Sequence, residues 1–392
     1  MTLADRIFLP LRLAWRQLRA EKARLASAIA GVMFACVLVF MQLGFRAALF
    51  DSATSLISAM RAEVFLIHPL TMASFRPEPL PRARAGQVLA LPEVMQATPV
   101  YLAQSTWRSP EDGSRRTIQL IGFDVEAGAM AFTGLEHVAA ALKQPDSAAF
   151  DLRSRPEFGP VQPMLEALGG RPLPVQVGNR RLDVVGTVEI GPSFGADGNL
   201  VLNETNFHRL VPERPFSNTD LVAIRLQPGS DIAAVQAQLR ALLPQDVAVL
   251  THPELVAWER RYWETATPIG FIFGFGSLMG LIVGMVIVYQ ILFSDIANHL
   301  REYATLKAIG YGNGYLSRSV LSSAFILALL GFIPGAVASA LLYDVIGQAT
   351  FLPLGMTLDR GLTVFGLIFG MCAAAGLLAM RKLRDADPAD MF

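Results

Sequence analysis

The stretch SDIANHLREYATLKAIGYGNGYLSR, residues 294–318, decides how this chain is read. It is polar, and on either side lies an uncharged run long enough to cross a bilayer, 265–294 before it and 319–343 after it. A hydrocarbon core of about 30 Å takes about 20 apolar residues in a helix. Two further uncharged runs, Leu25–Phe45 and 361–380, bring the expected spans to four. The fold class expected is a membrane α-helical protein: four transmembrane helices, with a large α+β extracytoplasmic domain inserted between helices 1 and 2.

Composition agrees with a membrane chain. Only 17% of the 392 residues are charged, against about 25% in soluble domains, and the mean hydropathy is +0.42. Thirty-three basic residues balance 33 acidic ones, so no nucleic-acid partner is implied. Cys36 and Cys372 both fall in apolar spans, where a disulfide is not expected.

Basic residues orient the spans. Residues 1–24 carry Arg6, Arg12, Arg16, Arg19, Lys22 and Arg24 on an amphipathic helix suited to the headgroup layer. A signal peptide fits poorly, because the apolar run starts late, is long, and has no Ala-x-Ala-like site after it. Segment 295–318 has Arg301, Lys307 and Arg318, and the tail 381–392 has Arg381, Lys382 and Arg384. Both termini and 295–318 are therefore expected in the cytoplasm. The division that follows is span 25–49, outer domain 50–264, span 265–294, coupling segment 295–318, span 319–343, short outer loop 344–360, span 361–380 and tail 381–392.

In the outer domain, β-rich runs occur at Glu63–Ile67, Thr98–Trp107, Arg116–Phe123, Leu182–Ile190 and Leu221–Leu226. Helices are predicted over Arg82–Leu91, Leu135–Leu142 and Asp231–Leu243, the last with Asp231 as N-cap and Pro244 as its stop. With a strand at Val247–Leu250 it completes a β-α-β unit. Segment 62–123 offers a similar unit, giving two lobes split by a middle portion of about 150–218.

Gly270 and Gly274, then Gly276, Gly280 and Gly284, recur at four-residue steps in the second span. Small residues so placed let helices approach closely, in a tight bundle or at a subunit seam. Gly331-Phe-Ile-Pro334-Gly335 predicts a kink in the third span. The five histidines (68, 137, 208, 252 and 299) form no two-ligand pair at helical spacing. Glycines 310, 312 and 314 lack the Gly-Lys-Ser/Thr of a phosphate loop. No charge sits inside a span, which argues against an ion-coupled pump. Asp51, Glu63, Glu78, Glu111 and Asp112 read as solvated loop carboxylates. The expectation is a non-enzymatic chain without cofactor, whose energy source is elsewhere.

Nothing breaks a helix from Asp295 to Ile309, and Gly310–Gly314 turn the chain sharply. A helix with a glycine corner can sit in a partner's groove. LREYATLKAIGYGNGYL, 300–316, followed by an apolar span resembles the coupling segment of the FtsX/MacB-type (type VII) permeases of ABC transporters. Those proteins have one span, a large outer domain, then three spans. RKLRDADPADMF, 381–392, resembles the family's basic tail. EYATLKAIGY, VVGTVEIGPSFGADGNLVLNETNF and RRTIQLIGFD resemble the DevC branch.

The resemblance implies a homodimer in the bacterial inner membrane, surrounded by membrane lipid. It implies a separate ABC ATPase subunit that binds the ATP, a periplasmic membrane-fusion adaptor and a TolC-like outer-membrane duct. By position, Glu302, Ala304, Leu306, Lys307 and Gly310 would face the ATPase. The implied function is export of a lipophilic or glycolipid-like substrate. Alternatives are FtsX-like mechanotransmission to a periplasmic cell-wall hydrolase, or lipoprotein extraction.

Overall fold

The structure, a computed structural model, describes residues 22–193, 195–298, 309 and 313–384. In chain order its helices and strands are α1 Lys22–Ala53, α2 Ser55–Ser58, β1 Val64–Ile67, β2 Leu80–Pro81, α3 Ala83–Val88, β3 Val94–Arg108, β4 Arg115–Phe123 and α4 Leu135–Val138. There follow β5 Ser147–Asp151, α5 Val161–Ala167, β6 Leu173–Val177, β7 Arg180–Val188, β8 Asn199–Asn203, α6 Glu204–Leu210, β9 Asn218–Thr219 and β10 Leu221–Leu226. The chain closes with α7 Ile232–Leu242, β11 Ala248–Thr251, α8 His252–Thr265, α9 Ile269–Asn298, α10 Asn313–Thr350 and α11 Leu358–Arg384. Two compact units result, one holding the chain to Ala48, Ile269–Ala349 and the chain from Leu354, the other holding Leu49–Pro268 with Thr350–Pro353.

Among the described residues, the first unit holds helices and no strand. Four helices among the described residues are long and apolar enough to cross a membrane, over Lys22–Ala53, Ile269–Ser294, Val320–Thr350 and Leu358–Met380. Their shared core is Val32, Val39, Phe40, Val288, Leu327, Ile368 and neighbours, all buried. Pro334 lies inside α10 without ending it. Residues 266–268 separate α8 from α9.

The second unit is built on a nine-stranded mixed sheet, ordered β11-β1-β10-β3-β4-β8-β5-β7-β6. Strand β1 runs antiparallel to both β10 and β11, and β10 antiparallel to β3. Hence β1–α3–β3 and β10–α7–β11 are both split β-α-β units, each holding a strand of the other between its own two. The period-two alternation of a strand then covers β1 on both faces. Phe65 and Ile67 pack with Ile57 and Leu255 on one side, Val64 and Leu66 with Val88, Val235 and Leu239 on the other.

The two β-α-β units thus interleave in one layer rather than forming two halves. What separates them begins at β4, and its strands extend the same sheet. Strand β3 is 15 residues long; its first half pairs with β10, its second with β4, and its end with β6. Beneath this second half lies a separate core centred on Trp107, Phe150 and Phe158, in which the Trp107 indole N–H donates to the Phe158 carbonyl at 3.0 Å.

Local sequence explains the best-formed helices. The Asp231 side chain accepts from the Ala233 and Ala234 N–H groups at 2.9 and 3.2 Å, capping α7. Thr251 and Glu254 form a capping box at the start of α8, with Pro253 in its first turn.

Candidate functional site

Glu302, Ala304, Leu306, Lys307 and Gly310 lie outside the described residues. Described are the helix that leads to them, α9 as far as Asn298, and the helix that leads away, α10 from Asn313. Ile309 is 71% exposed.

The glycines of α9 differ in what they face. Gly270 is half-buried in the first turn. A Cβ on Gly274 would meet nothing within 4 Å. On Gly276 it would lie 2.5 Å from the Gln42 amide nitrogen, and on Gly280 it would lie 3.3 Å from Leu38 Cβ. On Gly284 it would come within 2.5 Å of Ala35 Cβ and 2.6 Å of Met371 Sδ. Three of the five glycines therefore face α1, and Gly284 also faces α11. Helix α10 approaches α1 by the same means, a Cβ on Gly335 falling 2.9 Å from Cys36 Cβ. About one turn further along α1 and two along α10, the Tyr343 hydroxyl donates to the Phe40 carbonyl. Helix α1 is the element against which the second and third spans both close.

In the sheet unit, buried carboxylates fasten loops to the layer. Asp151, fully buried, accepts from the N–H groups of Arg153, Ile190 and Gly191 and from the Asn199 amide at 2.8–3.0 Å. Asp220 accepts from the Leu102 N–H at 2.7 Å and from Arg214 at 2.5 Å. Glu259 of α8 accepts from the Ser74 N–H at 2.8 Å and the Trp263 indole at 3.1 Å. Burial lifts the pKa of Asp151 and Glu259 above the ordinary carboxylate range, against the pull of these donors. Burial likewise pushes Asp220 up to about 6, opposed by the Leu102 N–H and the Arg214 charge. With their oxygens engaged by backbone and neighbours, these groups act as staples.

None of the three stood out in the sequence. A buried Asp carries no local pattern, and FDLRS reads like any strand end. Among the carboxylates expected in solvent, Glu63 is half-buried and accepts from the Leu226 N–H at 2.8 Å, and Asp51 lies in α1, paired with Arg260 at 2.9 Å. Two histidines are packing residues: His208 stacks on Phe216 with centroids 3.9 Å apart, and His252 lies against Phe65 at 5.7 Å.

Four apolar helices with a sheet-built domain inserted after the first define a multi-pass membrane protein of a particular layout. Residues 25–242 match the family model described as MacB-like periplasmic core domain, and residues 274–388 match the one described as FtsX-like permease C-terminal. The chain belongs to the ABC transporter permeases of the FtsX/MacB type. Two ABC transporter permeases of Mycobacterium tuberculosis strain H37Rv are similar over nearly the full chain. Rv2563 is 25% identical over 386 residues, covering 97% of this chain and 98% of that one. Rv0072 is 24% identical over 396 residues, with the same coverages.

Among solved structures, the periplasmic region of MacB from Actinobacillus actinomycetemcomitans aligns with 54% of this chain and 97% of its own, at 12% identity and a TM-score of 0.36. The extracellular domain of the transporter YknZ from Gram-positive bacteria aligns with 48% and 98%, at 11% identity and 0.34. Membership in the family implies an ATPase partner.

Proposed function

We propose that this chain is the permease subunit of an ATP-driven tripartite exporter, passing the motion of its ATPase to a domain outside the membrane. The observation that carries the reading is the layout: a stapled sheet domain between the first and second of four apolar helices, in a family of ABC permeases. The basic residues before the first span, in 295–318 and in the tail favour a cytoplasmic side for those segments and an outer side for Leu49–Pro268.

In this reading the coupling segment, with Glu302, Ala304, Leu306, Lys307 and Gly310, receives force from the ATPase. The sheet domain is suited to transmit it because β1 is packed on both faces and its loops are tied down by Asp151, Asp220 and Glu259. A homodimer of permeases then drives a periplasmic membrane-fusion adaptor joined to a TolC-like duct. Likeness of 184–207 to the DevC branch supports a lipophilic or glycolipid-like cargo.

The test is affinity purification in mild detergent with identification of the partners. An ATPase and an adaptor should co-purify; a cell-wall peptidase in the adaptor's place would replace export by hydrolase control. Glu302→Lys or Gly310→Pro should abolish ATPase co-purification while membrane insertion is kept. Unchanged co-purification and ATP turnover in the assembled complex would remove the coupling role.

A further inference from the structure

We propose that a groove between strands β1 and β11 and helix α8 binds an amphiphile with an apolar body and an anionic head. The groove holds about 460 Å³, and Ile67, Pro69, Ala248, Leu250, Ala257 and Trp258 make its apolar lining. Small-molecule sites are concave, mostly apolar, and of about 300–1,000 Å³, with a few polar groups that fix orientation. Here those groups are Glu254 and Arg261.

The two charges differ in what they have left to give. Glu254 accepts from the Thr251 N–H at 2.8 Å and from the Gln236 amide at 2.5 Å, and lies 3.8 Å from Arg240. The neighbouring Arg260 is paired with Asp51. Arg261 is exposed and has no ion-pair partner among the described residues. A planar guanidinium beside an indole and an apolar floor selects a ligand with a negative head and a greasy body.

The alternative occupant is a peptide strand added to β11, which is the outermost strand of the sheet. The backbone argues against it. The outward Val249 carbonyl accepts from Gln236 and Arg240, both at 3.0 Å, and the outward Thr251 N–H is held by Glu254. An added strand would have to displace all three side chains. Edge strands blocked in this way resist pairing. The apolar lining is left open, and the turn beyond Pro69 adds Leu70 and Met72, 73% and 59% exposed.

The inference does not rest on the export reading, and its test uses no ATPase. The full chain carrying Ala257→Cys is placed in zwitterionic nanodiscs, and its labelling by a water-soluble maleimide is timed. Cys36 and Cys372 are buried among the helices and serve as a silent background. Dodecyl phosphate should slow labelling about fivefold or more while dodecyltrimethylammonium does not. Arg261→Gln in the same background should raise the half-protecting concentration about tenfold, as loss of one exposed charge-assisted contact predicts.

Three results would overturn the proposal: equal protection by both amphiphiles, no protection by either, or equal slowing of a Ser230→Cys control on a different loop. Slowing by a partner protein but not by dodecyl phosphate would overturn it in favour of a protein contact. Because Arg261 is exposed, its variant should melt with the parent, so a change in protection reports on binding.

Discussion

Replacing Gly274, Gly280 and Gly284 singly by alanine should give a graded series along one helix. Alanine in a helix interior is worth up to about 1 kcal/mol over glycine, so Gly274→Ala, with nothing within 4 Å of the new methyl, should be neutral or stabilising. At Gly280 the new Cβ lies 3.3 Å from Leu38 Cβ, and a few tenths of an ångström of adjustment should leave the net effect near zero. At Gly284 it lies 2.5 Å from Ala35 Cβ, against a comfortable carbon–carbon contact of about 3.5–4.0 Å. Ala35 Cβ is fixed to its backbone, so the helices must part by about 1 Å. Overpacking of that kind costs about 1–3 kcal/mol.

The helix gain of alanine is common to both variants, so the gap between the Gly274 and Gly284 variants should be the overpacking cost itself, about 1–3 kcal/mol. That is about 2–12 °C in melting temperature, at roughly 2–4 °C per kcal/mol for a unit of this size. Cys36 and Cys372 are both fully buried in this helix unit, so a thiol-reactive dye that brightens on exposure reads its unfolding directly. Equal melting of the Gly274 and Gly284 variants would refute the close packing of α9 on α1.

Removing the Asp220 carboxylate by Asp220→Ala leaves the Leu102 N–H and Arg214 unpaired. The sheet unit should lose about 3 kcal/mol, near the low end for a buried pair because Arg214 is 27% exposed; an unshifted tryptophan fluorescence melt would contradict this. For Asp151 the folded pKa is raised by burial, so between the ordinary carboxylate value of about 3.9 and the raised one the folded state holds the proton that the unfolded state has lost. Its contribution to stability is thus greatest at low pH and declines as pH climbs through that window. Asp151→Asn should flatten the slope of melting temperature against pH there, whatever its effect on the mean; an unaltered slope would count against the raised pKa.

The helical unit was legible because bilayer-spanning runs are long and uncharged, though α10 continues to Thr350, well past the uncharged run 319–343. The helix Ile232–Leu242 was legible for a local reason, the Asp231 cap ahead of a Pro244 stop. Strand pairing was not, because β1 sits between β10 and β11, partners more than 150 residues away, and no local pattern encodes that choice. Strand β8 falls inside the middle portion of about 150–218 and β5 at its edge, and neither carries an alternating pattern that marks it as a strand. Helix α8 is hard to read from sequence because WERRYWET is charged and sits beside an apolar run. Its start was nonetheless written in Thr251-His-Pro-Glu254, a capping box with a proline in the first turn.

The most direct test of the account concerns the side of the membrane on which each part lies. Single cysteines at Ser230, before α7, and at Asn313, where α10 starts, are introduced into the full chain and exposed to an impermeant thiol reagent in cells whose outer membrane is permeable to it. The account predicts that Ser230→Cys is labelled from outside and that Asn313→Cys is labelled only after the inner membrane is opened. Labelling of Asn313→Cys and not of Ser230→Cys in intact cells would reverse the orientation, and with it the direction in which force is passed.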